Sequence, residues 1–316
     1  MLSKDESYIK QADVDDIELL VDYQIKMAKE TEDKELNGKK VATCLDTMFK
    51  TQIFGECFVK RNKTHKGMGS TMITFAYDLE MNKTNYWFQS VYVDKEFRKQ
   101  GVFTSMYRFV EQRAKEKGVY ALYLYVDKDN HLAISVYEKL GMKRLNKLII
   151  EKDFFFGDGK GDKVEKPQYI IDIMSIANKK SVKGGVSDLL KLGQQGAVKE
   201  SYTVKKDDMN WFDEGLYIEV REGDKLIAVF TGLVEISEWR NGLNLYITDF
   251  AVDEAILDVS QVIMEVQMKL LNTPISKLNT MCIRFIVNQE DTNRRETLGK
   301  AGYTNDCNYF YESIIE

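Results

Sequence analysis

Two groups of residues, about thirty positions apart, could do chemistry together. Arg98 and Gly101 lie in a short polar loop, DKEFRKQGV, that follows an apolar run and opens a helical pattern. Asn130, Ala133, Tyr137 and Gly141 mark a second helical pattern. A tight turn that opens a helix offers unpaired backbone N–H groups and the positive end of a helix dipole, a combination suited to a pyrophosphate. Gly101 has no Cβ to hold a ligand away from that backbone. Arg98, Lys99 and Arg108 add positive charge nearby. A tyrosine on the following helix brings a hydroxyl that can donate a proton. The chemistry suggested is a phosphate cradle beside a positioned acid.

These groups need strands and helices in a fixed order. Runs rich in aromatic and β-branched residues predict strands at 56–61, 71–78 and 86–93. After Gly101, Phe103, Met106, Tyr107, Val110 and Ala114 form one helical stripe, and Gly118 is a natural stop. Val119–Val126 reads as a buried strand, Asp129 or Asn130 as the cap of the next helix, and 145–156 as a further strand. Upstream, Asp13 with Asp16 has the spacing of a capping box for a helix carrying Ile17, Leu20, Val21, Ile25 and Ala28. A second helix is expected around 41–50, after the acidic segment Glu30–Glu35.

The order strand, cradle, helix, strand, helix resembles the GNAT N-acetyltransferase superfamily. Its pattern, Arg/Gln-x-x-Gly-x-Gly/Ala followed by Asn-x-x-Ala-x-x-x-Tyr-x-Lys-x-Gly-Phe/Met, is met by Arg98, Gly101, Asn130, Ala133, Tyr137, Lys139, Gly141 and Met142. Phe103 stands where the family has Gly or Ala and is expected to face the core. The resemblance implies acetyl-CoA as cosubstrate. Main-chain groups of Val91, Tyr92 and Val93 would pair with the pantetheine. The stretch Arg98, Lys99, Gln100, Gly101, Val102, Phe103 and Thr104 would hold the pyrophosphate. Asn130 and Ala133 would touch the cofactor, and Tyr137 would protonate the departing thiolate. A thiol of pKa about 8.5 makes a fair leaving group, whereas an alkyl amine of pKa about 10.4 is about one part in a thousand or fewer neutral at pH 7. A base is therefore needed. The strand before the cradle has no carboxylate, so water relayed by Ser90 or a carboxylate from Glu30–Glu35 are the alternatives.

The chain contains a second copy of this frame. Lys139 and Gly141 correspond to Lys300 and Gly302, an offset of 161; Val93 and Asp94 correspond to Val252 and Asp253, an offset of 159. At these offsets Arg98 becomes Leu257, Gly101 becomes Ser260 and Tyr137 becomes Leu298, while Asp253, Glu254 and Asp258 crowd the cradle position. Carboxylates there repel phosphate. The expected architecture is mixed α/β: two tandem GNAT-like domains, each a mostly antiparallel mixed sheet flanked by helices. Residues 1–163 would be the acetyl-CoA-binding catalytic domain and 164–316 a degenerate domain without a cofactor site. The boundary rests on the glycine-rich run 157–163, which could instead tip a hairpin pairing 146–156 with 168–175.

The length of 316 residues suits two domains. A net charge of −5, from 45 basic and 50 acidic residues, argues against nucleic-acid binding and leans towards a cationic small molecule. The N-terminus shows no signal-peptide pattern, and no apolar run is long enough for a membrane span. Four cysteines without metal-ligand spacing and only two histidines point to reduced thiols, a cytoplasmic setting and no metal. The expected activity is transfer of acetyl from acetyl-CoA to a primary amine of a small molecule or peptide. The alternative is a non-catalytic acyl-CoA-binding or interaction module.

Overall fold

The computed structural model describes residues 7–51, 55–78, 83–155, 167–178, 185–195, 202–205, 215–237, 239, 242–271, 280–305 and 308–315. The chain begins with β1 (Tyr8–Gln11) and a 3-10 turn capped reciprocally by Asp13 and Asp16. Then come α1 (Ile17–Glu32), α2 (Gly38–Thr51), β2 (Gly55–Arg61), β3 (Gly67–Asp78) and β4 (Lys83–Val93). Next are α3 (Val102–Lys117), β5 (Ala121–Asp127), α4 (His131–Lys139), β6 (Lys143–Leu145) and β7 (Lys147–Phe155). The later elements are β8 (Ile170–Asn178), α5 (Gly185–Gln194), β9 (Tyr202–Lys205), β10 (Leu216–Glu222), β11 (Lys225–Ser237) and β12 (Gly242–Val252). They end with α6 (Val259–Leu271), β13 (Thr280–Asn288), α7 (Thr292–Lys300), β14 (Thr304–Asn305) and β15 (Asn308–Ile314).

The strands form two mixed sheets. One has the order β1-β2-β3-β4-β5-β15-β6; the other runs β14-β7-β13-β12-β11-β10-β8-β9. The internal repeat is reproduced in the strand register. Tyr86 pairs with Leu122 in the first sheet and Leu245 with Ile283 in the second, the same positions at offsets of 159 and 161. Each sheet also has a bulge at matching positions. Gln89 is the extra residue against Met72–Ile73, and Thr248 the extra residue against Thr231–Gly232, again 159 apart.

The repeats do not keep their last strands. Lys147 of β7 pairs with Asn288 in the second sheet, and Asn308 of β15 pairs with Asp127 in the first. Both partners are 161 apart, so each half lends the equivalent strand to the other. Sheet membership therefore crosses residue 163, which itself lies outside the described residues together with the glycine-rich run. The alternative hairpin does not form: β8 pairs with β10 and β9, not with β7. Both β7 and β15 are apolar enough to fill either place, so composition carries no information about which sheet each joins.

Helices α3 and α4 cover one face of the first sheet, over a core that includes Phe58, Ile73, Tyr107, Val110, Leu122 and Tyr137. On the opposite face, α1 and α2 pack over Cys57, Val59 and Met72. Beyond them the second sheet packs on this same face through Ala76, Trp87 and Phe310 against Ile149, Leu233 and Tyr246. The other side of the second sheet is buried with α6 and α7 residues such as Val262, Val266 and Leu298.

Candidate active site

The first sheet opens between β4 and β5. These parallel strands pair only at Tyr86–Leu122 and Trp87–Tyr123, whereas β3 follows β4 to Val93. The Gln89 bulge bends the strand at that point and resets its alternation. Trp87 faces the second sheet, and after the extra residue Ser90 and Tyr92 turn to α1. The gap leads into a cavity of about 350 Å³ lined by Phe88–Val91 of β4, Leu124–Asp127 of β5, Asn130 and Tyr137, the end of α1, and residues of the second sheet. Trp87 packs between Tyr123, Tyr246 and Phe310, while Phe88 reaches the cavity.

The loop after Val93 makes a 3-10 turn over Lys95–Phe97, then passes through two left-handed residues, Lys99 (φ 62°) and Gly101 (φ 74°). Gly101 is the N-cap of α3 and offers no side-chain cap, and the first helical bond is from Ser105 N to Gly101 O. The amides of Val102, Phe103 and Thr104 thus lie in the uncapped first turn. A Cβ at Gly101 would meet nothing within 4 Å, so it is the positive φ, not crowding within the chain, that requires glycine.

The side chains around this turn are mostly engaged elsewhere. The Arg98 guanidinium donates to Val93 O at 3.0 Å and to Glu30 at 2.7 Å, so its charge is met by α1. Gln100 donates to Glu96 O. Arg108 is paired with Glu111. Lys99 and Thr104 are exposed. Val102 is buried with Met68 and Met106. Phe103 turns inward, its ring 6.1 Å from Phe88 and 5.6 Å from Tyr137. The Tyr92 hydroxyl donates to Glu30 at 3.3 Å.

Tyr137 lines the cavity from α4. Its ring is wedged between Phe103 and Tyr311, and its hydroxyl has no hydrogen-bond partner among the described residues. Burial pushes the phenol up to about 12, so it stays protonated at neutral pH. Asn130 caps α4, its Oδ1 accepting from Ala133 N at 3.1 Å, and so fixes the start of the helix that carries Tyr137. Ala133 packs against the α3–α4 core.

Ser90 is buried and accepts from Gln24 Nε2 at 2.9 Å; Gln24 Oε1 accepts in turn from Trp239 Nε1 at 2.8 Å. This chain joins β4, α1 and the second sheet. Of the acidic segment, Glu32 reaches the cavity but is paired with Lys34, and Glu30 is held by Arg98 and Lys95. The residues that the sequence did not single out come mainly from the second half. Arg284 is bonded to Glu151 at 2.6 Å and to the Tyr125 hydroxyl at 3.1 Å. Asn244 and Trp239 lie on the wall. Glu235 is buried, with one oxygen accepting from Thr74 Oγ1 at 2.6 Å. A polar residue within the apolar strand Ile227–Val234 and its continuation was the available signal. Glu151, Asp153 and Cys282 bring ligand-capable atoms within 4.8 Å of one another, with Glu151 already bound to Arg284.

At the equivalent place in the second half, Asp258 accepts from Ser260 Oγ at 2.5 Å and Gln261 N at 3.1 Å. Asp253 is paired with Lys225 at 2.8 Å. The first turn of α6 is thus capped by the chain's own carboxylate. Leu298, at the position of Tyr137, is fully buried.

The sequence model of the acetyltransferase (GNAT) family matches residues 31–142, which contain the opened strand, the cradle and Tyr137. A comparison with curated proteins gave no match. Several solved structures resemble the whole chain. A tandem GNAT protein from the clavulanic acid biosynthesis pathway has 8% identity, a TM-score of 0.56 and coverage of 98% of this chain and 99% of its own. A GCN5-related N-acetyltransferase from Sphaerobacter thermophilus has 9% identity, a TM-score of 0.55 and coverage of 100% and 98%. The glucosamine N-acetyltransferase region of a fungal multi-domain β-N-acetylglucosaminidase has 14% identity and a TM-score of 0.58; it covers 99% of this chain, which spans 38% of that protein. At these identities the likeness is one of fold. No helix among the described residues is long and apolar enough to cross a membrane. The chain has the fold of the tandem GNAT proteins, and residues 31–142 of its first half match the acetyltransferase (GNAT) family model.

Proposed function

We propose that the first half binds acetyl-CoA in the opening between β4 and β5 and passes its acetyl group to a primary amine of a small molecule or peptide. The observation that carries this reading is the parting of β4 and β5 beyond Trp87, directly above a cavity lined by Tyr137. The residues present suit such a cosubstrate. The free edge of Gln89–Val93 offers main-chain pairing, and the uncapped turn Gly101–Thr104 offers amides to a pyrophosphate. Acetyl-CoA supplies an acyl group already activated as a thioester.

The roles of the chain's own groups follow from their positions. The β4 edge and Asn130 orient the acyl donor. The amine nitrogen forms a bond to the acyl carbon as the carbon–sulfur bond breaks, and the nitrogen gives up a proton. The Tyr137 hydroxyl, protonated at neutral pH and otherwise unbonded, donates to the departing sulfur. Ser90, fixed by Gln24 and Trp239, can hold a water that takes the proton from the amine. Packing by Phe103 and Phe88 excludes solvent from the Tyr137 ring.

Tyr137→Phe tests this directly. It removes the donor and keeps the ring, so kcat should fall about 10²-fold while acetyl-CoA affinity changes little, in keeping with the usual worth of a general acid. Unchanged turnover removes Tyr137 as the acid. Binding of acetyl-CoA without transfer to any of a broad panel of amines supports the non-catalytic reading instead.

A further inference from the structure

The face of the second sheet that closes the cavity carries buried polar atoms with no partner among the described residues. Asn244 of β12 lines the cavity and is 1% exposed, and neither its Nδ2 nor its Oδ1 has a partner among the described residues. Because both atoms are unpaired, this holds whichever way the amide is turned. Glu235 of β11 stands directly opposite Asn244 in the antiparallel pairing, so the two side chains share a face. It is also 1% exposed; its Oε2 meets no hydrogen-bond partner of good geometry among the described residues, with the Tyr246 hydroxyl close enough to lower its pKa. From the other wall, the Oε1 of Gln89, on the β4 bulge, is buried in the same cavity without a partner among the described residues. Unpaired buried polar atoms weaken a fold, and a ligand of complementary pattern restores what they lose.

The pattern is specific. Asn244 Oδ1 and Gln89 Oε1 are acceptors that line the cavity, and a primary ammonium has N–H donors to offer both. Asn244 Nδ2 is a donor, and a bare alkyl ammonium would leave it unpaired. A carboxylate could accept from it, but would stand beside Glu235 with like charge. A hydroxyl accepts without charge. Arg284 is bonded to Glu151, and its charge also bears on Glu235.

We propose that Asn244, with Gln89 and the neighbouring Glu235, forms the acceptor subsite, supplied largely by the second half and selective for a small amino alcohol. This rests on the acetyl-transfer reading above. The ammonium nitrogen lies against Oδ1 of Asn244 and Oε1 of Gln89, the adjacent hydroxyl accepts from Asn244 Nδ2, and Glu235 stands behind Asn244 on the same face of the sheet. The second half then determines what is acetylated, while the first half holds the acyl donor.

The test uses the full chain and two amines that differ only in hydroxyls, serinol and isopropylamine. The wild type should favour serinol in kcat/KM by about tenfold or more, the scale on which a site's unpaired polar groups discriminate. Asn244→Leu should raise the KM for serinol by a similar factor and erase the preference, with the KM for acetyl-CoA within about twofold. Its melting temperature should hold or rise, because an unpaired buried amide has been replaced by an apolar group. Gln89→Met, on the opposite wall, should weaken serinol and isopropylamine alike and serves if Asn244→Leu does not fold. Equal use of both amines by the wild type, or an unchanged preference in Asn244→Leu, overturns the subsite while acetyl transfer stands. Serinol binding by calorimetry that is lost in Asn244→Leu, in a chain that transfers no acetyl group, supports the subsite and overturns the transfer reading.

Discussion

Trp87 and Tyr246 meet between the two sheets with ring centroids 6.0 Å apart, and they occupy the same position in two copies of one repeat, 159 residues apart. Equivalent residues touch each other only near an axis relating the copies, as at the interface of a symmetric dimer. The exchange of β7 and β15 ties the copies further, since each sheet is completed by a strand from the other half.

The halves should therefore not fold apart. Removing residues 308–316 strips β5 of its neighbour and takes away Phe310 and Tyr311, each 1% exposed. Loss of one such aromatic costs about 3–5 kcal/mol, a large part of a domain's stability. The truncated chain should lose amide-exchange protection in β5, and a fragment 1–163 should behave likewise. Adding a peptide of residues 308–315 should restore protection. A fragment 1–163 with native protection in β5 would contradict the exchange.

Gly101→Val separates the cradle from the scaffold. A non-glycine residue in the left-handed region costs about 1–2 kcal/mol, and here the new side chain meets no neighbour within 4 Å. Stability should fall by about that amount, while acetyl-CoA affinity should fall by more than about tenfold, because the side chain projects over the uncapped amides. Equal acetyl-CoA affinity in the variant and the wild type, by calorimetry, would show that the turn does not hold the cofactor.

Glu235 should make stability depend on pH. Burial pushes its carboxyl up from 4.5 to about 7, against the Thr74 bond, the Arg284 charge and the Tyr246 hydroxyl, which pull it down. The folded state then holds this proton more tightly than the unfolded state. Stability contributed by the neutral acid is present at low pH and is lost as pH climbs from about 4.5 to about 7, by about 3 kcal/mol in all. Glu235→Gln should remove that slope, so the variant gains on the wild type at about pH 8 and matches it near pH 5. Urea unfolding at the two pH values checks this, and parallel curves would contradict it.

Much of the first half was legible because its motif combines a special backbone position, Gly101, with residues at fixed helical spacing, Asn130, Ala133 and Tyr137. The duplication was legible too, because Lys139–Gly141 and Lys300–Gly302 keep their spacing. The strand exchange was not. Equivalent strands see nearly equivalent edges, so β7 and β15 are distinguished only by the connections before them, and the run 157–163 fits either route. The Arg98–Glu30 pair was not legible, because Glu30 lies 68 residues upstream. Asn244 and Glu235 were hidden for a similar reason. A polar residue in a strand reads as solvent-facing unless the facing sheet is known, and here that facing sheet belongs to the other repeat.

One half of this duplicated chain is proposed to bind acetyl-CoA and the other not to. Isothermal titration of the full chain with acetyl-CoA tests it most directly. One molecule per chain is expected, with the heat abolished by Gly101→Val and retained in Ser260→Ala, which alters the equivalent turn of α6. Two molecules per chain, or none, would contradict the account.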